Sequence, residues 1–240
     1  MQKAVEVKNL VKDYGKFRVL NGLSFEIFQG EIFGLIGPNA AGKTTTLRII
    51  STLLQATSGE AKVFGYDVIK EGDKVREKIS YLPEEAGAYK NLSGKGYLNF
   101  MAGFYAHNDE KKKEIINKGI ELAKLGERIK DKASTYSKGM VRRLLVARAL
   151  MFNPELVILD EPTSGLDVIA SREIRNVIKD FARDQGTVLL SSHNMLEVEF
   201  LCDRIALINK GLILEIGAPQ ELKEKYGAKN IEEVFIKAIK

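Results

Sequence analysis

The run Gly37-Pro38-Asn39-Ala40-Ala41-Gly42-Lys43-Thr44-Thr45 has the spacing G-x-x-x-x-G-K-[ST] and directly follows an apolar stretch at 32–36. Such a loop needs a buried strand before it and an apolar-periodic helix after it, here from about Lys43. Gly37 and Gly42 let the backbone curl so that successive N–H groups point inward, and the helix start adds the positive end of its dipole. A polyphosphate fits that geometry. Lys43 can reach the β- and γ-phosphates, the Thr44 hydroxyl suits Mg2+, and Thr45 adds another donor. By itself the loop specifies only a nucleoside triphosphate.

With 240 residues and 45% hydrophobic content the chain can bury a sizeable core. No stretch approaches the roughly 18 consecutive apolar residues of a membrane span, and the first residues lack the apolar centre of a signal peptide, so a soluble, intracellular chain is expected. Cys202 stands alone, which excludes a disulfide or cysteine metal site within one chain and suits a small core residue. The net charge of +5 comes from 37 basic and 32 acidic residues spread along the chain. That describes a mixed solvated surface, equally compatible with an anionic membrane face, and nucleic acid is not an expected partner. Lys111-Lys112-Lys113, with acidic residues on both sides, reads as an exposed helix start.

Along the chain, 5–10 and 23–28 read as half-buried antiparallel strands, because Leu23, Phe25 and Ile27 alternate with polar residues. The phosphate loop leads into a helix through Leu54, followed by strands at 61–66 and 79–82, the second stopped by Pro83. From about Glu84 to Met140 the pattern is helical. Tyr97, Phe100, Met101 and Phe104 recur at i, i+3, i+4 and i+7, which reads as ordinary helix packing, the alternative being that Phe104, Tyr105 or Tyr89 lines a groove for a partner helix. Beyond it come a helix to Leu150, a strand at 156–159, a helix at 168–181 and a strand at 187–191. This alternation implies parallel strands joined by helical crossovers. A hairpin at 204–216 around Asn209-Lys210-Gly211 and helices at 219–226 and 231–239 complete the reading.

The strand at 156–159 ends in Asp160-Glu161, two carboxylates with defined uses beside a phosphate loop. Asp160 can hold Mg2+ opposite Thr44, and Glu161 can polarise an attacking water. His193 emerges after Ser191-Ser192, where a parallel strand delivers side chains to the ligand edge of a sheet, and an imidazole there can contact a γ-phosphate. His107 has no such setting and reads as a surface residue. At Tyr136-Ser137-Lys138-Gly139-Met140, Ser137 caps the next helix, so its hydroxyl, the Gly139 backbone and the helix dipole make a second anion site.

In this order of motifs the sequence resembles the ATP-binding-cassette ATPases over essentially its whole length. The resemblance matches Tyr14 to the aromatic that stacks on adenine, 37–45 to the phosphate loop and 136–140 to the signature. It matches Asp160 and Glu161 to the magnesium and water-activating carboxylates, 164–167 to the dimer-contact loop and His193 to the switch histidine. Tyr14 alone would be about as consistent with a core or turn aromatic. Glu84 aligns with a position usually held by glutamine; its carboxylate could ligate Mg2+ or orient water, while adding negative charge beside the nucleotide. Lys138 and Met140 also depart from the usual signature, and these variants are similar to ATPase subunits of the ABC-2 exporter type.

The resemblance implies an α/β fold: a P-loop NTPase core with a mainly parallel sheet, an N-terminal antiparallel β subdomain and a helical insert subdomain. One domain over 1–240 would divide into a core at 1–84 and 145–217, a helical and signature part at 85–144, and C-terminal helices at 218–240. It further implies ATP and Mg2+ as ligands and a head-to-tail dimer with a second copy or homologous subunit. Each ATP would lie between one chain's phosphate loop and the other's Ser137 and Gly139. The output would be transport, as export, through a separate integral membrane permease at the cytoplasmic face. A relative acting on nucleic acid or ribosomes, and a subunit that binds ATP but turns it over poorly, are the alternatives. The first commonly needs two cassettes or a long coiled-coil insertion, which this chain lacks.

Overall fold

The computed structural model describes residues 2–184 and 186–240. β1 (Lys3–Tyr14) and β2 (Phe17–Phe28) form a long antiparallel hairpin extended by β4 (Ser58–Val63) and β5 (Tyr66–Asp67). Leu20, Leu23, Phe25 and Ile27 of β2 are buried while their neighbours are more exposed, the half-buried alternation of an antiparallel layer. The run at 61–66, expected as one strand, is instead the junction of β4 and β5. Phe64 (φ 47) and Gly65 (φ 84) both take positive φ, and a two-residue turn with that twist folds the chain back on itself.

The second sheet has the order β10-β9-β3-β8-β7-β6, with β3 (Ile32–Ile36), β6 (Ile79–Leu82), β7 (Leu156–Asp160), β8 (Thr187–Ser192), β9 (Arg204–Asn209) and β10 (Leu212–Gly217). All pairings are parallel except β9 with β10. Every residue of β3, β7 and β8 is buried, as expected of parallel strands covered on both faces. Alternate residues serve two cores. Phe33, Leu35, Leu156 and Ile158 pack with the antiparallel layer and α1 (Lys43–Ile50), whereas Ile36, Val157, Leu159 and Leu190 pack on the side of α5 (Lys138–Leu150) and α6 (Val168–Arg183).

Several local expectations change. α1 stops at Ile50 rather than Leu54, because the chain turns at Ser51 and Thr52 has a left-handed φ of 65. A short helix, α2 (Gly72–Lys78), buries only Val75, so it leaves no periodic signal in the sequence. The region from Glu84 is irregular until α3 (Gly94–Ala102), and α4 (Asp109–Ala123) follows. The carbonyls of Pro83 and Glu84 face the Arg142 guanidinium instead of helical N–H groups four residues on. The aromatic stripe also divides. Tyr97 is buried, while Phe100 and Phe104 are exposed and stack edge-to-face, with Tyr89 against Phe100 at 5.4 Å. α7 (Met195–Val198), α8 (Pro219–Tyr226) and α9 (Ile231–Ile239) complete the fold. Among the described residues no helix is long and apolar enough to cross a membrane.

Leu35 is fully buried at the centre of the parallel sheet. Leu35→Ala should cost about 2–5 kcal/mol. The exposed Leu212→Ala on the edge strand should stay within about 0.5 kcal/mol. Urea unfolding midpoints measured in parallel check the contrast.

Candidate functional site

Four adjacent parallel strands, β3, β8, β7 and β6, run in one direction, so their C-terminal ends deliver side chains to one edge of the sheet. From β3 the chain enters the phosphate loop. A Cβ on Gly37 would stand 2.1 Å from the Ile208 carbonyl oxygen, so only glycine allows the loop to pass β9 this closely. Gly42 has φ +108, and a Cβ there would meet Leu20 at 2.6 Å. Pro38, Asn39 and Ala40 are exposed, Ala41, Gly42 and Lys43 buried, and Thr44 and Thr45 lie between. The Lys43 ammonium donates to the carbonyls of Gly37 (2.7 Å) and Pro38 (3.1 Å) and pairs with Glu161 at 3.3 Å. Both partners of this ion pair are 6% exposed, and a charge so buried requires such a partner.

Asp160 and Glu161 lie at the end of β7. The Thr44 hydroxyl donates to Asp160 Oδ1 at 3.2 Å, and the Ser191 hydroxyl donates to the same oxygen at 2.5 Å. Tyr81 of β6 donates to Asp160 Oδ2 at 3.5 Å; burial and the Asp160 charge push this phenol up to about 12, so it stays protonated at neutral pH. Glu161 has φ 49, a left-handed conformation that costs a non-glycine residue about 1–3 kcal/mol. Its N–H donates to Ser191 Oγ at 2.9 Å, and its carboxylate oxygen Oε2 lies 2.8 Å from His193 Nδ1. One serine of β8 therefore joins both carboxylate residues of β7.

Beside the phosphate loop is a cavity of about 330 Å³ lined by residues 39–45, Phe17, Val19, Glu84 and Glu161. Thr44 and Asp160 converge as hard oxygen donors, which fits Mg2+, an ion that takes its other ligands from phosphates and water rather than from an all-protein cage. Glu84 lines the same cavity and belongs to the loop after β6.

Three expected site residues, Tyr14 and the two assigned to a second copy's ATP, do not line this cavity. Tyr14 is half exposed at the tip of the β1–β2 hairpin with the Lys12 ammonium 5.1 Å from its ring centre, and the cavity wall is formed by its cross-strand partner Phe17. Ser137 caps α5 by accepting the Met140 N–H, and Gly139 sits where an added Cβ would be 3.0 Å from Ala170. Neither lines this cavity. The structure adds residues that the motifs did not single out: Phe17, Tyr81, Ser191 as a bridging hydroxyl, and Arg142, buried against the main chain at 160–162. The signal the sequence offered for Arg142 was its place on a helix face with Leu145, Val146 and Ala149 at i+3, i+4 and i+7, where an apolar residue is the ordinary choice.

A model of the ABC transporter family matches residues 20–164. The linearmycin resistance ATP-binding protein LnrL of Bacillus subtilis is 39% identical over 235 residues, covering 98% of this chain and 76% of LnrL. A solved ATP-binding subunit of an ABC transporter superposes with a TM-score of 0.86 at 26% identity, covering 99% of this chain and 100% of that one. A dimeric ATP-binding cassette in a post-hydrolysis state, bound to ADP and Pi, gives a TM-score of 0.79 at 25% identity over 89% of this chain and 98% of the other. On the family model, the relatives and the shared fold together, this chain belongs to the ABC transporter family, as an ATP-binding subunit.

Proposed function

We propose that this chain binds and hydrolyses ATP and powers export through a separate membrane-spanning partner. The observation that carries the reading is the convergence, on one sheet edge, of Lys43, the Thr44–Asp160 pair and a Glu161 carboxylate bonded to His193. The unit would divide into a nucleotide-binding core at 1–84 and 145–217, a helical and signature part at 85–144, and C-terminal helices at 218–240.

The triphosphate of ATP would lie along 37–45, where it would take over the Lys43 ammonium from the Gly37 and Pro38 carbonyls. Thr44 and Asp160 would hold Mg2+, with Glu84 in reach of the same cavity, and the ion would offset phosphate charge. Glu161 orients the attacking water and accepts its proton. Glu161 Oε2 lies where it accepts from His193 Nδ1–H, and a simultaneous bond to a γ-phosphate oxygen would take a second ring N–H, at Nε2, which only the imidazolium carries. Hydrolysis is in-line attack on the γ-phosphate, and the positive groups around it offset developing charge.

Ser137 and Gly139 lie outside this chain's own phosphate cavity, which supports their serving the ATP of a second, head-to-tail copy. A dimeric arrangement is what the post-hydrolysis cassette is described as having. The exposed aromatic cluster of Tyr89, Phe100 and Phe104 supports contact between the helical part and a membrane partner, which would hold the chain at the cytoplasmic face. The word resistance in the name of LnrL supports export. One observation favours a slower enzyme: Glu84 puts a second carboxylate on the cavity that Glu161 lines.

Lys43→Ala should lower kcat/KM for ATP by about 10²–10³-fold. Glu161→Gln should keep ATP binding, lose about 10²–10⁴-fold in turnover, and accumulate as a dimer with ATP and Mg2+; light scattering that shows only monomer contradicts the trans site. For the base, Phe17→Ala and Tyr14→Ala should each weaken ATP by up to about 1–3 kcal/mol if the ring stacks on adenine, and nucleotide titrations of both identify which one does. Glu84→Gln should raise single-turnover hydrolysis if charge crowding slows the wild type, whereas a fall makes Glu84 a participant.

A further inference from the structure

Arg142 is absorbed by none of the motifs, yet it makes the densest set of bonds around the site. It lies five residues beyond Ser137 on α5 and is 8% exposed. Nε donates to the Pro162 carbonyl at 2.9 Å. Nη2 donates to the carbonyls of Asp160 at 2.8 Å and Glu161 at 2.5 Å, and Nη1 to those of Glu84 at 3.0 Å and Pro83 at 3.4 Å. A guanidinium carries five N–H donors in a planar fork, and here they meet five main-chain carbonyls from two loops. Burial lowers the Arg142 pKa, while the charges of Glu84, Asp160 and Glu161 act the other way.

Its effect on Glu161 follows from the backbone. Glu161 is held at its left-handed φ from both sides, by Ser191 at its N–H and by Arg142 at its carbonyl. If that peptide relaxed, the carboxylate would swing away from Lys43 and His193. The other end of the same tether is α5, whose first turn carries Ser137 and Gly139.

We propose that Arg142 is a positioning residue that ties the start of α5 to the main chain of Glu161 and Glu84. Engagement of the Ser137 turn by nucleotide on a second copy then sets the aim of Glu161 in the same chain. The inference rests on the reading of this chain as an ATPase that works in pairs. It concerns how Glu161 is held, so its signature lies in turnover and not in ATP affinity. Arg142 touches neither the phosphate loop nor the Thr44–Asp160 oxygens, only carbonyls behind them.

The test measures ATP binding and single-turnover hydrolysis for the full chain, with rates normalised to bound nucleotide. The wild type, Arg142→Gln, Arg142→Lys and Glu161→Gln are compared with the double variant Arg142→Gln/Glu161→Gln. Arg142→Gln should lose about 10–10²-fold in turnover, as expected when a reacting group is displaced by a fraction of an ångström to one ångström. Its ATP affinity should stay within about twofold, since the phosphate loop is untouched. Arg142→Lys should restore little, because an ammonium keeps the charge but cannot span two loops as a planar fork does. With Glu161 already changed to Gln, Arg142→Gln should alter the residual rate less than about twofold, because residues acting as a unit are non-additive. The inference is overturned if Arg142→Gln turns over normally, if lysine restores the full rate, or if the loss is the same with and without the Glu161 carboxylate. It is equally overturned if both Arg142 variants lose ATP binding, which would assign the residue to folding alone. A wild-type chain that binds ATP without hydrolysing it removes the enzymatic reading itself, a result distinct from any of these.

Discussion

The parallel pairing of β7 with β8, which sets Asp160 beside Ser191, is the constraint on which the site depends. From that register one hydroxyl donates to Asp160 and accepts from the Glu161 N–H, so the two carboxylates are aimed in different directions from adjacent positions. Asp160 turns to Thr44 at the start of α1, and Glu161 turns to Lys43 and His193. A register slip by one residue would exchange the faces of every side chain on β7 and take Asp160 away from the Ser191 hydroxyl. The apolar strands enforce the register, since Leu156 and Ile158 are buried in one core and Val157 and Leu159 in the other.

Around this junction the fold gathers charge that is costly to bury: Lys43, Arg142, Asp160 and Glu161 are all nearly inaccessible. Each is tolerated because it is paired or fully hydrogen-bonded, and such clusters contribute little net stability. Their value is geometric. Lys43 and Glu161 hold each other in place, and a polyphosphate would compete for the same ammonium that now meets the carboxylate. Nucleotide binding at Lys43 would thereby be linked to the freedom of Glu161 through one side chain.

Much of this was legible in the sequence, and the gaps have physical causes. The phosphate loop, Asp160-Glu161 and His193 follow apolar runs whose lengths and spacing mark parallel strands, so their shared edge could be inferred before any contact was seen. The β4–β5 turn was missed because Phe64 takes a left-handed conformation that its identity does not advertise. α2 was missed because one buried valine makes no period. The stripe at 97–104 suggested a single face, but α3 ends at Ala102, so Tyr97 enters the core while Phe104 lies beyond the helix on the surface.

By itself the sequence determined the fold class and marked the glycine-rich loop, Asp160, Glu161 and His193 as following apolar strand segments, because these depend on local periodicity and on spacings within a few residues. Only the tertiary structure decided that Phe17 rather than Tyr14 lines the cavity, that Ser191 bridges both carboxylates, and that Arg142 fills its five donors with carbonyls from two distant loops. Those contacts join residues 18 to 59 positions apart or opposite one another across a hairpin. Their partners are largely main-chain atoms, which every residue carries and no sequence pattern can single out.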